Sequence, residues 1–242
     1  MFDSERPRPV HISVPLDVLA APITRDWSNE VVRRPGRGPA SATALDEAVA
    51  RLNGAKRPMI IAGGGALNAT AELKDISTRL AAPLFTSVAG KGLLPPDAPL
   101  NAGSSLCVEP GWNLIAEADV VLAVGTEMAD TDFWRERLPL NGELLRIDID
   151  PRKFNDFYPC AVALHGDAQQ TLSGLLERLP SDVRDASAAV ASVAALREAV
   201  KASHGPLQSI HQSILDRIAA ELPDNAFIST DMTQLAYTGN YA

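Results

Sequence analysis

Three consecutive glycines, Gly63, Gly64 and Gly65, follow a short apolar run and precede an amphipathic segment. A glycine turn between a strand and a helix can bind a phosphate, because backbone amides and a helix N-terminus meet there and no Cβ atom blocks the ligand. Asn68 stands where a third glycine would complete a dinucleotide fingerprint, and no acidic residue ends the next strand. Nucleotide binding and a tight turn that merely needs glycine are therefore two open interpretations.

Two aspartates, Asp148 and Asp150, come at the end of the predicted strand 143–149. Thr126 follows the glycine that comes directly after the predicted strand 119–124. A carboxylate at the carboxyl end of a strand can accept hydrogen bonds from ribose hydroxyls. Asp150 precedes Pro151, which favours an N-cap over ligand contact for this residue. If a nucleotide binds, we expect it over the glycine turn, beside Thr126 and Asp148.

The remaining motifs predict no catalytic residue and no metal ligand. His165 and Asp167 flank a glycine, but the residues that would complete a metal-binding Gly-Asp-Gly motif are missing, and Asp167 is placed as a helix N-cap. His11, His204 and His211 have no ligand partners at metal-binding spacing, so packing or solvent exposure is their expected role. The sequence contains no Gly-x-Ser-x-Gly, Cys-x-x-Cys or Walker motif.

Composition limits the classes of function. The chain has 242 residues, 46% of them hydrophobic, which is typical of a folded protein with a sizeable core. Its formal net charge of −8 argues against a nucleic-acid partner. The two cysteines, Cys107 and Cys160, are too few for a disulfide framework, and no apolar run is long enough to cross a membrane. We expect a soluble, cytoplasmic protein with no membrane partner.

The elements that must position these residues alternate between strands and helices. Continuous apolar strands separated by amphipathic helices predict an α/β fold, a doubly wound, mostly parallel six-stranded Rossmann-like sheet with helices on both faces. Ser41 is the predicted N-cap of the first helix of this domain. The strands assigned from the sequence are 58–62, 83–88, 119–124, 143–149 and 161–164.

Two further parts of the chain have no sheet of their own to join. One is a strand predicted at 9–15, and the other is a helix at 206–222 followed by a strand at 226–230. Their apolar stripes are expected to lack cover, which suggests a piece of a longer protein. The expected parts of the chain are an end segment 1–18, a linker 19–40, a domain 41–180, a connector 181–205, helical or partly mobile, and a final segment 206–242.

Taken in order, several segments resemble the thiamine-diphosphate-dependent enzymes of the acetolactate synthase and 2-oxo acid decarboxylase family. The resemblance covers nearly the whole chain and rests on the order and spacing of its motifs. The matching segments are PVHISVPLDV (9–18), RPMIIAGGG (57–65), GKG (90–92), ADVVLAVG (118–125), IDIDP (147–151) and STDMTQ (229–234).

The resemblance implies a role for each part of the chain. Residues 1–18 would end a pyrimidine-binding domain, 41–180 would form the central domain, and 206–242 would begin a diphosphate-binding domain. Thr233 and Gln234 would contact thiamine diphosphate. The family's ring-activating Glu and its magnesium-binding Gly-Asp-Gly motif have no counterpart here, so the chain is expected to be inactive alone. The parent enzyme is expected to be a homodimer or homotetramer that uses thiamine diphosphate and Mg²⁺.

The same resemblance limits which cofactor and which substrate are expected. Relatives that bind FAD carry an Arg-Phe-Asp-Asp-type segment where this chain has Thr126-Glu127-Met128-Ala129-Asp130, so FAD is not expected. A negative Glu127 near a flavin phosphate would repel it. The expected function is decarboxylation or acetolactate-type carboligation of a 2-oxo acid. The amino-acid sequence of residues 231–237 favours a guanidino 2-oxo acid derived from arginine as the substrate. The alternative is a non-catalytic module that binds ADP or FAD.

Overall fold

Six strands form one sheet in which every neighbouring pair is parallel. The computed structural model describes residues 6, 7, 9–24, 36–223, 226 and 228–241. Across the sheet the order is β3-β2-β1-β4-β5-β6. The predicted parallel α/β sheet is therefore confirmed. In chain order the strands are β1 (Pro58–Ala62), β2 (Leu84–Thr86), β3 (Asn101–Gly103), β4 (Val120–Val124), β5 (Glu143–Asp148) and β6 (Val162–His165).

Helices cover both faces of the sheet. In chain order the α-helices of the described residues are α1 (Leu16–Leu19), α2 (Ala42–Gly54), α3 (Thr70–Leu80), α4 (Glu109–Ile115), α5 (Asp130–Phe133), α6 (Ala168–Arg178), α7 (Ser187–Ala202), α8 (Pro206–Glu221) and α9 (Gln234–Tyr241). Ile60 and Ala62 of β1 belong to a core with side chains of α2, α3 and α6, whereas Met59 and Ile61 belong to one with side chains of α4 and α7. Because successive side chains of a strand point to opposite faces of the sheet, the residues of β1 contribute alternately to two cores.

The predicted helix caps are confirmed. Ser41 precedes α2, and its Oγ accepts a hydrogen bond from the amide of Ala44 at 3.3 Å. Asp167 caps α6 through the amide of Gln170 at 3.0 Å. Asp150 caps the 3-10 turn Pro151–Asn155, as its position before a proline predicts. Each cap satisfies an N–H group that the first turn of a helix leaves without a partner.

Helix α7 lies in the segment predicted as a connector. Its Val193, Leu196 and Val200 are buried in the core that contains β1 residues Met59 and Ile61. The guanidinium of Arg197 also donates to two backbone carbonyls of the β2–β3 connection and to that of Asn101 in β3, at 2.8 to 3.1 Å. These contacts attach α7 to the sheet.

Two predicted strands are wrong. Residues 9–15 and the described residues of 226–230 are not strands in the structure. A strand needs a neighbour to pair its backbone groups, and alternation alone does not supply one. Val10, Ile12 and Val14 are exposed, and so is the apolar stripe of α8 at Ile210, Ile214 and Ile218, as expected for uncovered elements.

Two units make up the chain, Met1–Arg37 and Gly38–Ala242. In the first unit, the only helix among the described residues is α1, which has no buried residue. The second unit contains the sheet and both cores. Within the described ranges, no helix has the length and apolar character needed to cross a membrane.

Candidate functional site

The predicted site residues meet at one edge of the sheet. The glycine turn follows β1, Thr126 follows β4 by two residues, and Asp148 ends β5. Because β1, β4 and β5 are parallel neighbours, their carboxyl ends lie side by side. The order of strands reverses between β1 and β4, and ligands of doubly wound sheets bind at such a point.

Gly63 and Gly65 are packed against the turn that follows β4. A Cβ atom on Gly63 would lie 2.4 Å from the carbonyl oxygen of Gly125 and 2.7 Å from Cα of Thr126. A Cβ atom on Gly65 would lie 2.9 Å from Cα of Gly125. The amide of Gly63 donates to Val124 O and that of Gly65 to Gly125 O, both at 2.9 Å. At these two positions the absence of a side chain lets two turns of the protein touch.

Gly64 faces the other neighbouring turn. A Cβ atom there would lie 3.2 Å from Cβ of Ala89, in the 3-10 turn Val88–Gly90 that follows β2. This is a tight contact with a methyl group rather than a clash with backbone. The middle glycine is therefore the least constrained of the three.

Thr126 and Asp148 are both buried and both engaged within the protein. Thr126 Oγ1 accepts a hydrogen bond from the amide of Met128 at 3.2 Å. Asp148 Oδ1 accepts one from the amide of Asp150 at 2.8 Å. These bonds shape the two turns that end β4 and β5. Any ligand contact would have to use the remaining hydrogen-bonding capacity of these groups, which for Thr126 includes the donor of its hydroxyl.

Arg146 of β5 links the two turns, and sequence reasoning missed it. The residue is 1% exposed. Its guanidinium donates to the Thr126 carbonyl at 3.1 Å and to Asp156 Oδ1 at 2.8 Å. A buried charge requires such partners. The available signal was a charged residue in the interior of a strand, between the apolar residues Leu145 and Ile147.

Ion pairs continue this network toward solvent. Lys153 pairs with Glu127 and lies 3.6 Å from Oδ2 of Asp156. The negative charge of Glu127, which underlies the expectation against FAD, is thus partly balanced by a neighbouring cation.

A cavity of about 870 Å³ opens beyond the ends of β4 and β5. Its lining includes Glu127, Trp134, Lys153 and Phe157, but none of the five predicted nucleotide-contacting residues. The loop at its wall contains two residues with left-handed backbone, Met128 with φ of 50° and Trp134 with φ of 51°. Bulky residues rarely adopt this conformation, which is strained without glycine.

Thr233 and Gln234 lie at the N-terminal end of α9, and both are exposed. Thr233 Oγ1 accepts a hydrogen bond from the amide of Ala236 at 3.1 Å, so it caps the helix. The Trp134 ring contacts α9 at Tyr237 and Tyr241, with centroid distances of 6.1 and 5.6 Å. The predicted thiamine-diphosphate residues are thus on a helix that packs beside the carboxyl edge of the sheet.

Histidines and cysteines do not assemble into a site. Nε2 of His165 lies 3.1 Å from the Ile149 carbonyl, and Nδ1 of His211 lies 2.8 Å from Thr238 Oγ1. Both cysteines are free thiols, and burial raises the pKa of Cys107 to about 12. In the part of the chain that the structure describes, no group of three or more His, Cys, Asp or Glu side chains could hold a metal ion.

Comparison with known proteins identifies the class. Residues 45–175 match the family described as thiamine pyrophosphate enzyme, central domain, and these residues make up more than half of the chain. The chain belongs to this family, and the resemblance stated from its motifs is confirmed.

Individual relatives agree with this assignment. The chain is 73% identical, over all 242 residues, to "Probable 2-ketoarginine decarboxylase AruI" of Pseudomonas aeruginosa, and covers 43% of it. It is 26% identical over 238 residues to the acetolactate synthase isozyme 1 large subunit of Escherichia coli, covering 96% of this chain and 42% of that protein. The chain thus spans less than half the length of these curated relatives.

A solved structure also resembles the fold. It is the X-ray structure of a "putative thiamin diphosphate-dependent enzyme" from Mycobacterium smegmatis, 27% identical, with a TM-score of 0.52. The match covers 63% of this chain and 30% of that one.

The family implies thiamine diphosphate as the cofactor. The described residues fit only the diphosphate end of that molecule. A helix N-terminus with exposed Thr233 and Gln234 suits a diphosphate, because free amides and hydroxyls can donate to it. A diphosphate also needs cations to balance its charge, and the described residues contain no candidate magnesium site. Among the described residues, the candidate contacts are therefore limited to the diphosphate end of the cofactor.

Proposed function

We propose that this chain is the central part of a thiamine-diphosphate- and Mg²⁺-dependent enzyme that decarboxylates a guanidino 2-oxo acid. The 73% identity to a relative named for 2-ketoarginine carries this proposal, because it extends over the whole chain. In this proposal, residues 1–18 end the pyrimidine-binding domain, 41–180 form the central domain, and 206–242 begin the diphosphate-binding domain. Acetolactate-type carboligation is the competing reaction, in keeping with the E. coli relative.

The residues of this chain would contribute binding and positioning rather than chemistry. Thr233 and Gln234 would donate hydrogen bonds to the diphosphate, while the sheet supports the helix on which they lie. When bound, thiamine diphosphate supplies the carbanion chemistry, and the protein supplies orientation. No catalytic residue is assigned within the chain, and the 2-oxo acid would bind outside its central domain.

Calorimetric titration of the isolated chain with thiamine diphosphate and Mg²⁺ tests this division of roles. We expect no tight binding and no decarboxylation of 2-ketoarginine, because the charge of the diphosphate is not balanced. Micromolar affinity would contradict the proposal that the chain supplies only part of the cofactor site.

The coding sequence on either side of the chain provides an independent test. A Glu-containing pyrimidine domain upstream and a Gly-Asp-Gly motif followed by Asn downstream would support the proposal. The complete product should then release CO₂ from 2-ketoarginine faster than from pyruvate. A preference for pyruvate with acetolactate formation would favour the carboligation alternative. Light scattering of the same product tests the predicted homodimer or homotetramer.

Nucleotide binding is a second candidate function, favoured by the position of the glycine turn, Thr126 and Asp148 at the point where the strand order reverses. Thermal unfolding with ADP, FAD, NAD or coenzyme A tests it, since a ligand that binds only the native state raises the transition temperature. A stabilisation by ADP that Asp148→Asn abolishes would support this function. No shift with any of the four would leave the central domain as a scaffold.

A further inference from the structure

Helix α9 is held by an aromatic group from the central domain. The indole of Trp134 contacts Tyr237 and Tyr241 edge to face, at interplanar angles of 63° and 86°. Tyr241 also contacts the ring of His204 at a centroid distance of 5.7 Å. Edge-to-face geometry is the favoured arrangement of aromatic pairs. One exposed loop of the sheet therefore contacts two successive turns of α9.

Two further contacts hold the same helix. The ammonium of Lys91, in the turn after β2, donates to the Gly239 carbonyl. His211 of α8 forms a 2.8 Å hydrogen bond with Thr238. Trp134 and Lys91 both follow strands whose carboxyl ends lie at the edge that carries the glycine turn. This edge of the sheet therefore supports α9 at more than one point.

The backbone at Trp134 is unusual for the residue that occupies it. Trp134 ends α5 with φ of 51°, in the left-handed conformation where glycine is the common residue. The tryptophan is also 46% exposed, so it is not held there by burial in the core. The chain therefore accepts local strain and an exposed indole at this position, where the indole contacts α9.

We propose that Trp134 is a positioning residue for cofactor binding. Its ring fixes the orientation of α9 and thereby holds Thr233 and Gln234, at the N-terminal end of that helix, where they meet the diphosphate. This inference rests on the proposed function, because the two residues must contact thiamine diphosphate for the position of α9 to matter. It gives the loop after β4 a role that requires no nucleotide.

Three variants of the complete enzyme test the inference. Trp134→Gly removes the indole and suits the left-handed backbone, so the loop should fold. Trp134→Phe keeps an aromatic ring at this position. Phe157→Ala is the matched control, because Phe157 is a similarly exposed aromatic of the same cavity whose ring contacts are with Tyr158 and Arg137.

The variants are compared by cofactor affinity, by kcat and by hydrogen exchange. From the usual strength of two aromatic pairs, Trp134→Gly should raise the Kd for thiamine diphosphate by roughly 5- to 150-fold. The kcat at saturating cofactor should stay near the wild-type value, since the variant leaves the reacting groups in place. Trp134→Phe should recover most of the affinity, and Phe157→Ala should bind like the wild type. In the 242-residue chain, hydrogen exchange of amides 234–241 should become faster in Trp134→Gly only.

The outcomes separate this inference from the proposed function. Unchanged exchange in α9 of Trp134→Gly would show that the indole does not fix the helix and would overturn the inference. Faster exchange with unchanged cofactor affinity would also overturn it, because the position of α9 would then not matter for binding. A wild-type complete enzyme that fails to bind thiamine diphosphate would instead overturn the proposed function.

Discussion

Adding one methyl group at Gly63 or at Gly64 distinguishes a packing role of the glycine turn from a ligand-binding role. At Gly63 the new Cβ would lie 2.4 Å from one backbone atom of the next turn and 2.7 Å from another. Neither atom can move unless the ends of β1 and β4 separate. At Gly64 the nearest atom is a methyl carbon at 3.2 Å, which a shift of a few tenths of an ångström relieves.

The two variants should therefore differ widely in stability. Neither glycine has a positive φ, so alanine introduces no backbone strain at either site. Overpacking usually costs about 1–3 kcal/mol, and the rigid contacts at Gly63 place Gly63→Ala at about 3 kcal/mol. Alanine also lowers the entropy of the unfolded chain by about 0.4–1 kcal/mol, which nearly offsets the contact at Gly64. Gly64→Ala should therefore lie within about 1 kcal/mol of the wild type.

Urea unfolding of the 242-residue chain, followed by far-ultraviolet circular dichroism, measures both variants. For a domain of this size, the expected loss in Gly63→Ala corresponds to a Tm lower by roughly 6–12 °C. A Gly63→Ala variant as stable as Gly64→Ala would refute the packing interpretation. The glycines would then be better explained by the approach of a ligand.

Three other perturbations have defined outcomes. Arg146→Met should cost about 3–5 kcal/mol in urea unfolding, because it leaves buried acceptors without their donor, and Arg146→Met with Asp156→Asn should recover part of that loss. Partial burial raises the pKa of Asp132, so its ionisation lowers stability as the pH rises through the folded-state pKa. Asp132→Asn should therefore raise the Tm at pH 7 and lose this advantage below the unfolded-state pKa near 3.8, which calorimetry across pH would detect. Iodoacetamide at pH 8 should modify Cys160 before Cys107, as mass spectrometry can show, because burial raises the pKa of Cys107 to about 12 and limits access to its thiol.

Strands were predictable where their own residues determine them. The strands at 58–62 and 120–124 are continuous apolar runs that are buried on both faces, and the sequence locates them to within a residue. Strand β3 has only three residues, Asn101, Ala102 and Gly103, and is a strand because it pairs with β2. The predicted strand at 9–15 failed for the opposite reason, since it has good alternation and no partner in the described structure.

The site was predictable in its location and not in its contacts. The glycine turn, Thr126 and Asp148 were expected at one edge because all follow parallel strands, and the strand order confirms this placement. Arg146 joins Thr126 to Asp156 across tertiary structure, which a single sequence does not specify. The packing of Trp134 on α9 likewise depends on how distant segments fold together.

Helix α7 also determines how far this chain could be shortened before an apolar surface is uncovered. The family match ends at residue 175, so a shortened chain would most simply be ended near Pro180. A chain cut there would lose Val193, Leu196 and Val200 and uncover the apolar surface beneath them. Exposed patches of this kind promote aggregation. A chain that ends after α7 would keep that face covered and leave the apolar stripe of α8 out altogether.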